Sequence, residues 1–408
     1  MHHRPLILKG GAKTGKTWTL NEFGRLFYED VLYIDCSKRS YMSYLVESKT
    51  EARRVISKLS AYHGEDIIPG KTLIIFDEVQ TVCGLVHMIL KLFKELPEYH
   101  VCMTGFHVER ELPAYDDDIV NPYILEMRPM NFKEFMSVSG NEDLIRLITE
   151  DGRINDESDR KRIRGILKDY FMVGGYPNVV NTWIGTGDIH KVREAQRYII
   201  NEVLSELAVD YQEVSDEKLD VLKLVSDVLK KENKKFLIQT PKDEDRILQK
   251  IDELQSVGFV HKVSRVSEGK WPPERYLDDS SYKLYLSDVG ILSCLYGPEV
   301  DKLEADECFS VYNGALTEQF VFQELRSHNP GTLVYWTSQK PPAKADFLFH
   351  DVRRMVPIEI SRINKRHTNG LSIYSKKYDV PIGIRISFDD FSKDSCILTI
   401  PIYAIWNL

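Results

Sequence analysis

The chain of 408 residues lacks the features that mark several protein classes. Its six cysteines (Cys36, Cys83, Cys102, Cys294, Cys308 and Cys396) are scattered, with no Cys-x-x-Cys pair and no zinc-ligand spacing. Several sit inside apolar, strand-like runs, where they read as buried thiols of a reducing compartment. No apolar run is long enough to span a bilayer. No signal peptide precedes the first motif. The formal net charge of −8 excludes a global attraction to nucleic acid or an anionic membrane and leaves room only for a local basic patch. What remains is 43% hydrophobic and 28% charged, enough for roughly two to four domains, each with its own core. These absences together lead us to expect a cytoplasmic, globular protein.

The most informative stretch stands near the start. Leu6-Ile7-Leu8-Lys9 reads as a short apolar strand, and Gly10-Gly11-Ala12-Lys13-Thr14-Gly15-Lys16-Thr17 follows it. Gly10, Gly15, Lys16 and Thr17 fill the fixed places of G-x-x-x-x-G-K-[ST], the phosphate loop. Polyphosphate needs converging backbone N–H groups, and glycine lets the backbone wrap that closely. A helix starting near Gly15 aims its positive end at the anion. The expected nucleotide contacts run from Gly10 through Trp18. Lys16 is expected on the β- and γ-phosphates, and the Thr17 hydroxyl on Mg²⁺. Because the strand begins almost at the first residue, a short native segment is expected to precede it.

Farther on, Thr72-Leu73-Ile74-Ile75-Phe76-Asp77-Glu78 has the unbroken apolar run of a strand buried on both faces, as in a parallel sheet. Asp77 sits where an acid would hold the Mg²⁺ shell, and Glu78 where a general base would orient the attacking water. Another strand, His100-Val101-Cys102-Met103, ends in Thr104-Gly105. Thr104 either contacts the γ-phosphate and positions water, the sensor role of such ATPases, or simply marks a strand exit.

The order of phosphate loop, Asp77-Glu78-Val79-Gln80 and Thr104-Gly105 resembles the AAA-superfamily ATPases. More narrowly, the chain resembles a prokaryotic family of uncharacterised AAA-type ATPases. Three later stretches carry that resemblance. Arg128-Pro129-Met130-Asn131-Phe132-Lys133-Glu134-Phe135 resembles its Pro-Leu-Ser-Phe-x-Glu-Phe segment. Gly174-Gly175-Tyr176-Pro177 resembles its Gly-Gly-x-Pro motif, and Lys283-Leu284-Tyr285-Leu286-Ser287-Asp288-Val289-Gly290 its Lys-Leu-Tyr-x-x-Asp-x-Gly strand. The resemblance implies ATP and Mg²⁺ as ligands. Such ATPases often take an arginine from a neighbouring subunit, and Arg110 and Arg128 both follow the sensor strand. Either is equally readable as a solvated surface arginine.

From Asn131 to about Glu206 the spacing is helical, as for a small lid over the nucleotide. Gly174-Gly175-Tyr176-Pro177 interrupts it, as a tight helix–helix turn or as a place where backbone approaches nucleotide. Next come an amphipathic helix from Glu217, a short apolar insert at Phe236-Leu237-Ile238, and a helix from Thr240-Pro241 stopped by Gly258. Strand-like runs at Phe259–Val266 and Tyr282–Leu286 complete a winged-helix plan. In DNA-binding versions the second helix enters the major groove. Here it carries Asp243, Glu244, Asp245, Asp252 and Glu253 against Arg246 and Lys250, the wrong sign for phosphate.

The last segment reads as helix, strand, strand with Asp346, and strand with Glu359, the spacing of the PD-(D/E)xK nuclease core. That chemistry needs an Asp and a Glu on adjacent strands, a helix carboxylate and a lysine beside the attacking water. The family's C-terminal domain looks like that fold, and the resemblance puts Asp346 and Glu359 at metal-ligand positions and Glu318 at the helix acid. The lysine expected two residues after Glu359 is Ser361, which supplies no positive charge. Lys344, Lys365 and Lys376 are the nearby substitutes.

The expectation is therefore an α/β chain with four parts. Residues 1–130 form an AAA-type P-loop nucleotide-binding domain, 131–206 a helical lid, and 207–300 a winged-helix-like domain. Residues 301–408 form a restriction-endonuclease-like domain, either active or degenerate. The expected activity is Mg²⁺-dependent ATP hydrolysis by Lys16, Thr17, Asp77, Glu78 and Thr104, driving the downstream domains. An ATP-regulated nuclease and a non-hydrolysing, nucleotide-gated module are the alternatives. The expected partners are ATP and ADP, with a second copy or another protein in addition. Nucleic acid is only weakly supported, and no membrane is expected.

Overall fold

The computed structural model describes residues 4–37, 51–106, 108, 112, 120–207, 215–236, 244–328, 331–351, 354–361, 369–394 and 396–408. It divides into two compact units, Met1–Arg128 with Ser256–Gly258, and Pro129–Gln255 with Phe259–Leu408.

In the first unit the apolar runs form β1 (Leu6–Gly10), β2 (Asp30–Asp35), β3 (Thr72–Asp77), β4 (His100–Gly105) and β5 (Tyr123–Met127). They make one sheet in the order β2-β3-β4-β1-β5, and each neighbouring pair is parallel. The helices are α1 (Lys16–Phe27), α2 (Ala52–His63) and α3 (Leu85–Glu95). All six residues of β3 are buried, as its unbroken apolar run requires for a central strand covered on both faces. Ile34, Ile74, Phe76 and Met103 meet Ile89, Leu90 and Phe93 of α3 in the core. Residues 38–50, which precede α2, lie outside the described residues.

A parallel sheet places every strand's C-terminal end at the same edge. The strand order reverses at β1, which lies beside β4 and β5 rather than β2. A ligand crevice belongs at such a switch point, outside the carboxyl ends of the strands. Gly10, Asp77 and Gly105 are the last residues of β1, β3 and β4, so the three motifs found in the sequence converge on that edge.

The second unit begins with a purely helical stretch among its described residues: α4 (Phe132–Val138), α5 (Glu142–Leu147), α6 (Glu157–Val173), α7 (Pro177–Thr186) and α8 (Ile189–Glu206). Asn131 caps α4 by a reciprocal pair of hydrogen bonds with Glu134, and Pro177 opens α7. Then follow α9 (Ser215–Lys230), α10 (Glu244–Ser256), β6 (Val260–Val266), β7 (Leu277–Leu286), α11 (Val289–Tyr296) and α12 (Ala305–His328). Positive φ at Tyr312, Asn313 and Gly314 breaks α12, and the helix expected at the head of the last segment is its second piece. The chain continues with β8 (Val334–Gln339), β9 (Pro342–Asp351), β10 (Arg354–Ile360), α13 (Gly370–Tyr378), β11 (Gly383–Ser387), β12 (Ser392–Asp394) and β13 (Ile397–Pro401).

Eight strands of this unit form a single mixed sheet, β12-β13-β11-β10-β9-β8-β6-β7. β6 and β7 are the antiparallel ribbon expected as a wing. β6 also pairs parallel with β8, Ser264 opposite Val334 and Val266 opposite Trp336. The ribbon and the C-terminal strands therefore share one sheet, because Val266, Val334 and Trp336 are buried in one apolar cluster with Tyr374 and Leu348. Leu237, Ile238, Thr240, Pro241 and Asp243 lie outside the described residues.

Candidate functional site

The loop after β1 is shaped by backbone geometry before any side chain is considered. Gly15 has φ 99° and Lys13 φ 59°, both in the left-handed region that favours glycine. A Cβ on Gly10 would sit 2.1 Å from the carbonyl oxygen of Met127, so its lack of a side chain also lets β5 approach β1. The Gly11 carbonyl closes the loop on itself, accepting from Thr14 Oγ1 at 2.9 Å and from Lys16 Nζ at 3.0 Å. Ala12 and Thr14 are buried, while Lys13 is exposed. α1 starts at Lys16, with no acidic residue in its first turn to compete for an anion.

Around this loop the predicted residues come together. Asp77 is 4% exposed and accepts three hydroxyl hydrogen bonds. Thr17 Oγ1 and Tyr33 Oη each donate to its Oδ2 at 2.7 Å, and Thr104 Oγ1 donates to its Oδ1. Thr104 also accepts from the Glu78 N–H at 3.2 Å. Lys16 is 4% exposed, and its ammonium lies 3.9 Å from Glu78 Oε1 and 4.4 Å from the centre of the Phe106 ring. Glu78 itself has φ 57°, an uncommon conformation for a residue with a side chain and one that recurs at functional sites. Trp18 is exposed, so only its backbone faces the loop end of α1.

Two participants escape the motif-based reading. Tyr33 stands on β2 with its hydroxyl on Asp77, and burial together with that carboxylate raises its pKa far above the usual tyrosine range. The same surroundings push the Cys36 thiol up to about 12, so it is an inert, protonated neighbour. Gln80 donates to Glu78 Oε2 at 2.7 Å and accepts from the Phe106 N–H at 3.3 Å. The sequence signal for Tyr33 was a polar-tipped aromatic inside the apolar run Val31–Ile34. For Gln80 it was proximity to Glu78. Of the two candidate arginines, Arg128 forms a two-pronged pair with Glu126 at 2.8 and 2.9 Å, and Arg110 lies outside the described residues.

The donor set suits a hard divalent cation. Thr17 Oγ1 and the Asp77 carboxylate present oxygen ligands side by side at the sheet edge, as Mg²⁺ requires. Lys16 and the glycine loop present positive charge and N–H groups to polyphosphate.

Residues 2–136 match the family described as AAA domain. That similarity carries ATP and Mg²⁺ binding in general terms. Residues 164–303 and 313–405 match two domains of unknown function, DUF8612 and DUF4143. No curated protein matches the chain. Among solved structures, it is similar to the Aeropyrum pernix Orc1 protein in complex with DNA, at 15% identity and a TM-score of 0.32, covering 74% of this chain and 88% of that one. The Pyrobaculum aerophilum Cdc6p has 14% identity and a TM-score of 0.24, covering 72% and 87%. The Thermotoga maritima RuvB Holliday junction branch migration motor has 10% identity and a TM-score of 0.33, covering 68% and 86%.

The second predicted constellation lies in the second unit, and cations occupy it. Glu318 is buried on α12 and takes Lys283 Nζ at 2.9 Å, Tyr285 Oη at 2.7 Å and Lys234 Nζ at 3.8 Å. Although burial opposes the charge, these two lysines hold its carboxyl well below the usual range. Asp346 on β9 takes Lys344 Nζ at 2.7 Å and the Ile360 N–H at 3.0 Å. Glu359 on β10 takes Arg385 at 3.4 Å. Among the described residues the one trio of acids or histidines with ligand atoms within 4.8 Å of each other is Asp30, His63 and Glu65, in the first unit. Lys376 lies on α13, and Lys365 is outside the described residues. No helix among the described residues is long and apolar enough to cross a membrane.

Proposed function

We propose that the chain is a Mg²⁺-dependent ATPase whose N-terminal domain acts as a nucleotide-driven switch on its C-terminal domains. One observation carries the reading: the Thr17 hydroxyl and the Asp77 carboxylate, 60 residues apart, meet at 2.7 Å beside the buried Lys16. In this reading bound Mg²⁺ would neutralise the developing phosphate charge. Thr17 and Asp77 hold its shell, and Lys16 draws the β- and γ-phosphates. Glu78 accepts the proton of the attacking water, and Thr104 fixes both acids, through Asp77 Oδ1 and the Glu78 N–H. Backbone from Gly10 to Trp18 wraps the phosphates.

The proposal keeps the four-part division at 130, 206 and 300, with 131–206 as the helical lid, a winged-helix-like part and a nuclease-like part. The ends of the family matches at 136 and at 303–313 fall near the boundaries at 130 and 300, whereas the second match, 164–303, runs through 206. Phosphate release by the purified protein tests the central reading. It should vanish in Lys16→Ala and in Glu78→Gln, and parent-like release from both variants refutes it. A non-hydrolysing module would instead bind ATP tightly in the parent without turnover.

A nuclease reading has one observation in its favour: Lys344 reaches Asp346 and supplies a lysine that Ser361 does not. Against it, two lysines and a tyrosine already engage Glu318. A binding or structural role for residues 301–408 therefore fits better. Incubation of DNA or RNA with the protein, Mn²⁺ and ATP decides. Cleavage abolished by Asp346→Ala establishes the nuclease, and no cleavage dismisses it.

A further inference from the structure

Glu78 must present its carboxylate in one direction to take a proton from water, and its neighbours set that direction. It is the residue after β3, its φ is 57°, and its carboxylate is partly exposed. Its two oxygens see different surroundings. Oε1 lies 3.9 Å from Lys16 Nζ, and Oε2 accepts from Gln80 Nε2 at 2.7 Å. The orientation of the Gln80 amide follows from simple donor logic. The Phe106 N–H can only donate, and it points at Gln80 Oε1 at 3.3 Å. The NH₂ end of the amide must then face Glu78, which receives it as an ionised acceptor.

The position of Gln80 is itself enforced from two sides. Thr81, the next residue, donates through Oγ1 to the Glu78 carbonyl at 2.8 Å and to the Cys36 carbonyl at 2.9 Å, which locks the turn Val79–Thr81. On the other side Gly105 leaves room for the amide. A Cβ there would stand 2.3 Å from Gln80 Oε1 and 2.8 Å from Val108 Cγ2. The amide thus spans from Glu78 at the end of β3 to the exit of β4, whose Thr104 already holds Asp77 and the Glu78 N–H.

We propose that Gln80 is a positioning residue, which fixes one Glu78 oxygen and ties its direction to the Thr104-Gly105-Phe106 exit of β4. This rests on the ATPase reading above. As the water oxygen bonds to the γ-phosphorus and the bond to the β–γ bridging oxygen breaks, the water proton passes to Glu78. Gln80 holds that carboxylate in place by one oxygen, Oε2, and leaves Oε1 to take the proton. Gln80→Glu keeps the side chain's length but has no N–H to donate.

The test compares the parent with Gln80→Ala, Gln80→Glu, Gly105→Ala, the Gln80→Ala/Gly105→Ala double variant and Lys16→Ala. Nucleotide affinity is followed with a fluorescent ATP analogue, and kcat and KM by phosphate release. Gln80→Ala should lower kcat by tenfold or more while affinity and KM stay within about twofold, the signature of a transition-state effect. Gln80→Glu, which has no N–H to offer Glu78, should lower kcat by a similar factor. Gly105→Ala should cost a similar factor alone and little in the Gln80→Ala background, since both act through the same amide. A parent rate no faster than Lys16→Ala overturns the ATPase reading, and this proposal with it. A parent that hydrolyses ATP, with Gln80→Ala or Gln80→Glu within twofold of it, overturns the proposal alone.

Discussion

Asp288 Oδ2 accepts the backbone N–H of Gly175 at 2.7 Å, across 113 residues of sequence. Around this bond three of the resemblance-carrying stretches assemble. Met130 N–H donates to the Gly175 carbonyl at 2.8 Å, and Tyr170 donates to the Met130 carbonyl at 2.5 Å. Gln323 reaches Tyr170 at 2.8 Å and Asp288 at 3.3 Å. A Cβ on Gly174 would stand 2.0 Å from Asp288 Oδ1, one on Gly175 2.0 Å from the Met130 carbonyl, and one on Gly290 2.3 Å from the Val173 carbonyl. Gly-Gly-x-Pro and Asp-x-Gly are thus two halves of one buried joint that locks α6 against α11. This matches the tight-turn reading of Gly174-Gly175-Tyr176-Pro177 and gives its glycines a structural reason.

Gly175→Ala should therefore destabilise the second unit severely. The added methyl has only backbone to push against, so relief requires α6 or the segment around Met130 to shift, at a cost on the order of 2–4 kcal/mol. Urea unfolding followed by tryptophan fluorescence measures it, and a midpoint equal to the parent's contradicts the joint. Gly165→Ala, where nothing lies within 4 Å, is the matched control and should be neutral or slightly stabilising.

The same joint makes a pH prediction. Burial raises the Asp288 carboxyl to about 6, against the pull of the Gly175 and Ile291 N–H groups. A folded pKa above the unfolded value of 3.8 means that the folded state holds the proton more tightly. This group's contribution is then fully present below about pH 4 and declines as pH rises to about 6. Glu324, also buried and raised, adds in the same direction. In Asp288→Asn that component of the stability–pH curve should disappear. The amide NH₂ must also face a backbone donor, which costs roughly 1–3 kcal/mol at neutral pH. An unchanged slope between pH 4 and 6 in the variant would count against the assignment.

How much of this was legible beforehand depended on sequence distance. Gly10 to Thr17 is a contiguous motif whose spacing alone dictates a strand, a turn and a helix. The apolar run ending in Asp77-Glu78 announces a central parallel strand. Strand parallelism then brings both to one edge with no further information. Tyr33 and Gln80 were missed because a hydroxyl or amide that touches a carboxylate leaves no periodic trace. The Gly175–Asp288 bond was invisible for the same reason, and so were the lysines on Glu318, which come from β7 and from beyond the end of α9. The ribbon's membership of the large sheet depends on its pairing with β8, and strand pairing over such distances is not written in either strand's own pattern.

Thr17→Ala tests the cation site separately from the phosphate site. Removing the hydroxyl takes one ligand from the proposed Mg²⁺ shell and one hydrogen bond from Asp77. ATP affinity with Mg²⁺ should fall roughly ten- to a hundredfold, about 1–3 kcal/mol. Affinity in EDTA should barely change. Calorimetry with and without Mg²⁺ separates the two, and equal losses in both conditions would remove Thr17 from the metal shell. Trp18→Ala should change neither value by more than about twofold, because that side chain is 71% exposed.

The Glu318 cluster gives the sharpest test of what the C-terminal domain is for. Glu318 is 5% exposed, and the side chains of Lys234 and Lys283 are 1% and 10% exposed. Lys234 is further held by the Leu229 carbonyl at 2.9 Å, and Tyr285 points its hydroxyl at the same glutamate oxygen as Lys283. Glu318→Gln leaves two buried ammonium groups without a counter-charge, and should cost about 3–5 kcal/mol of stability. Replacing Glu318 by leucine together with Lys283 by methionine removes one charge of each sign and should recover a large part of that loss. A metal-binding glutamate behaves differently. Deleting a carboxylate from a cluster of mutually repelling acids stabilises the metal-free protein, and added Mn²⁺ then no longer raises its unfolding temperature. Thermal unfolding of the parent and both variants, with and without Mn²⁺, distinguishes the cases. A Glu318→Gln protein more stable than the parent, together with Mn²⁺ stabilisation confined to the parent, would restore the nuclease site and remove the structural ion cluster.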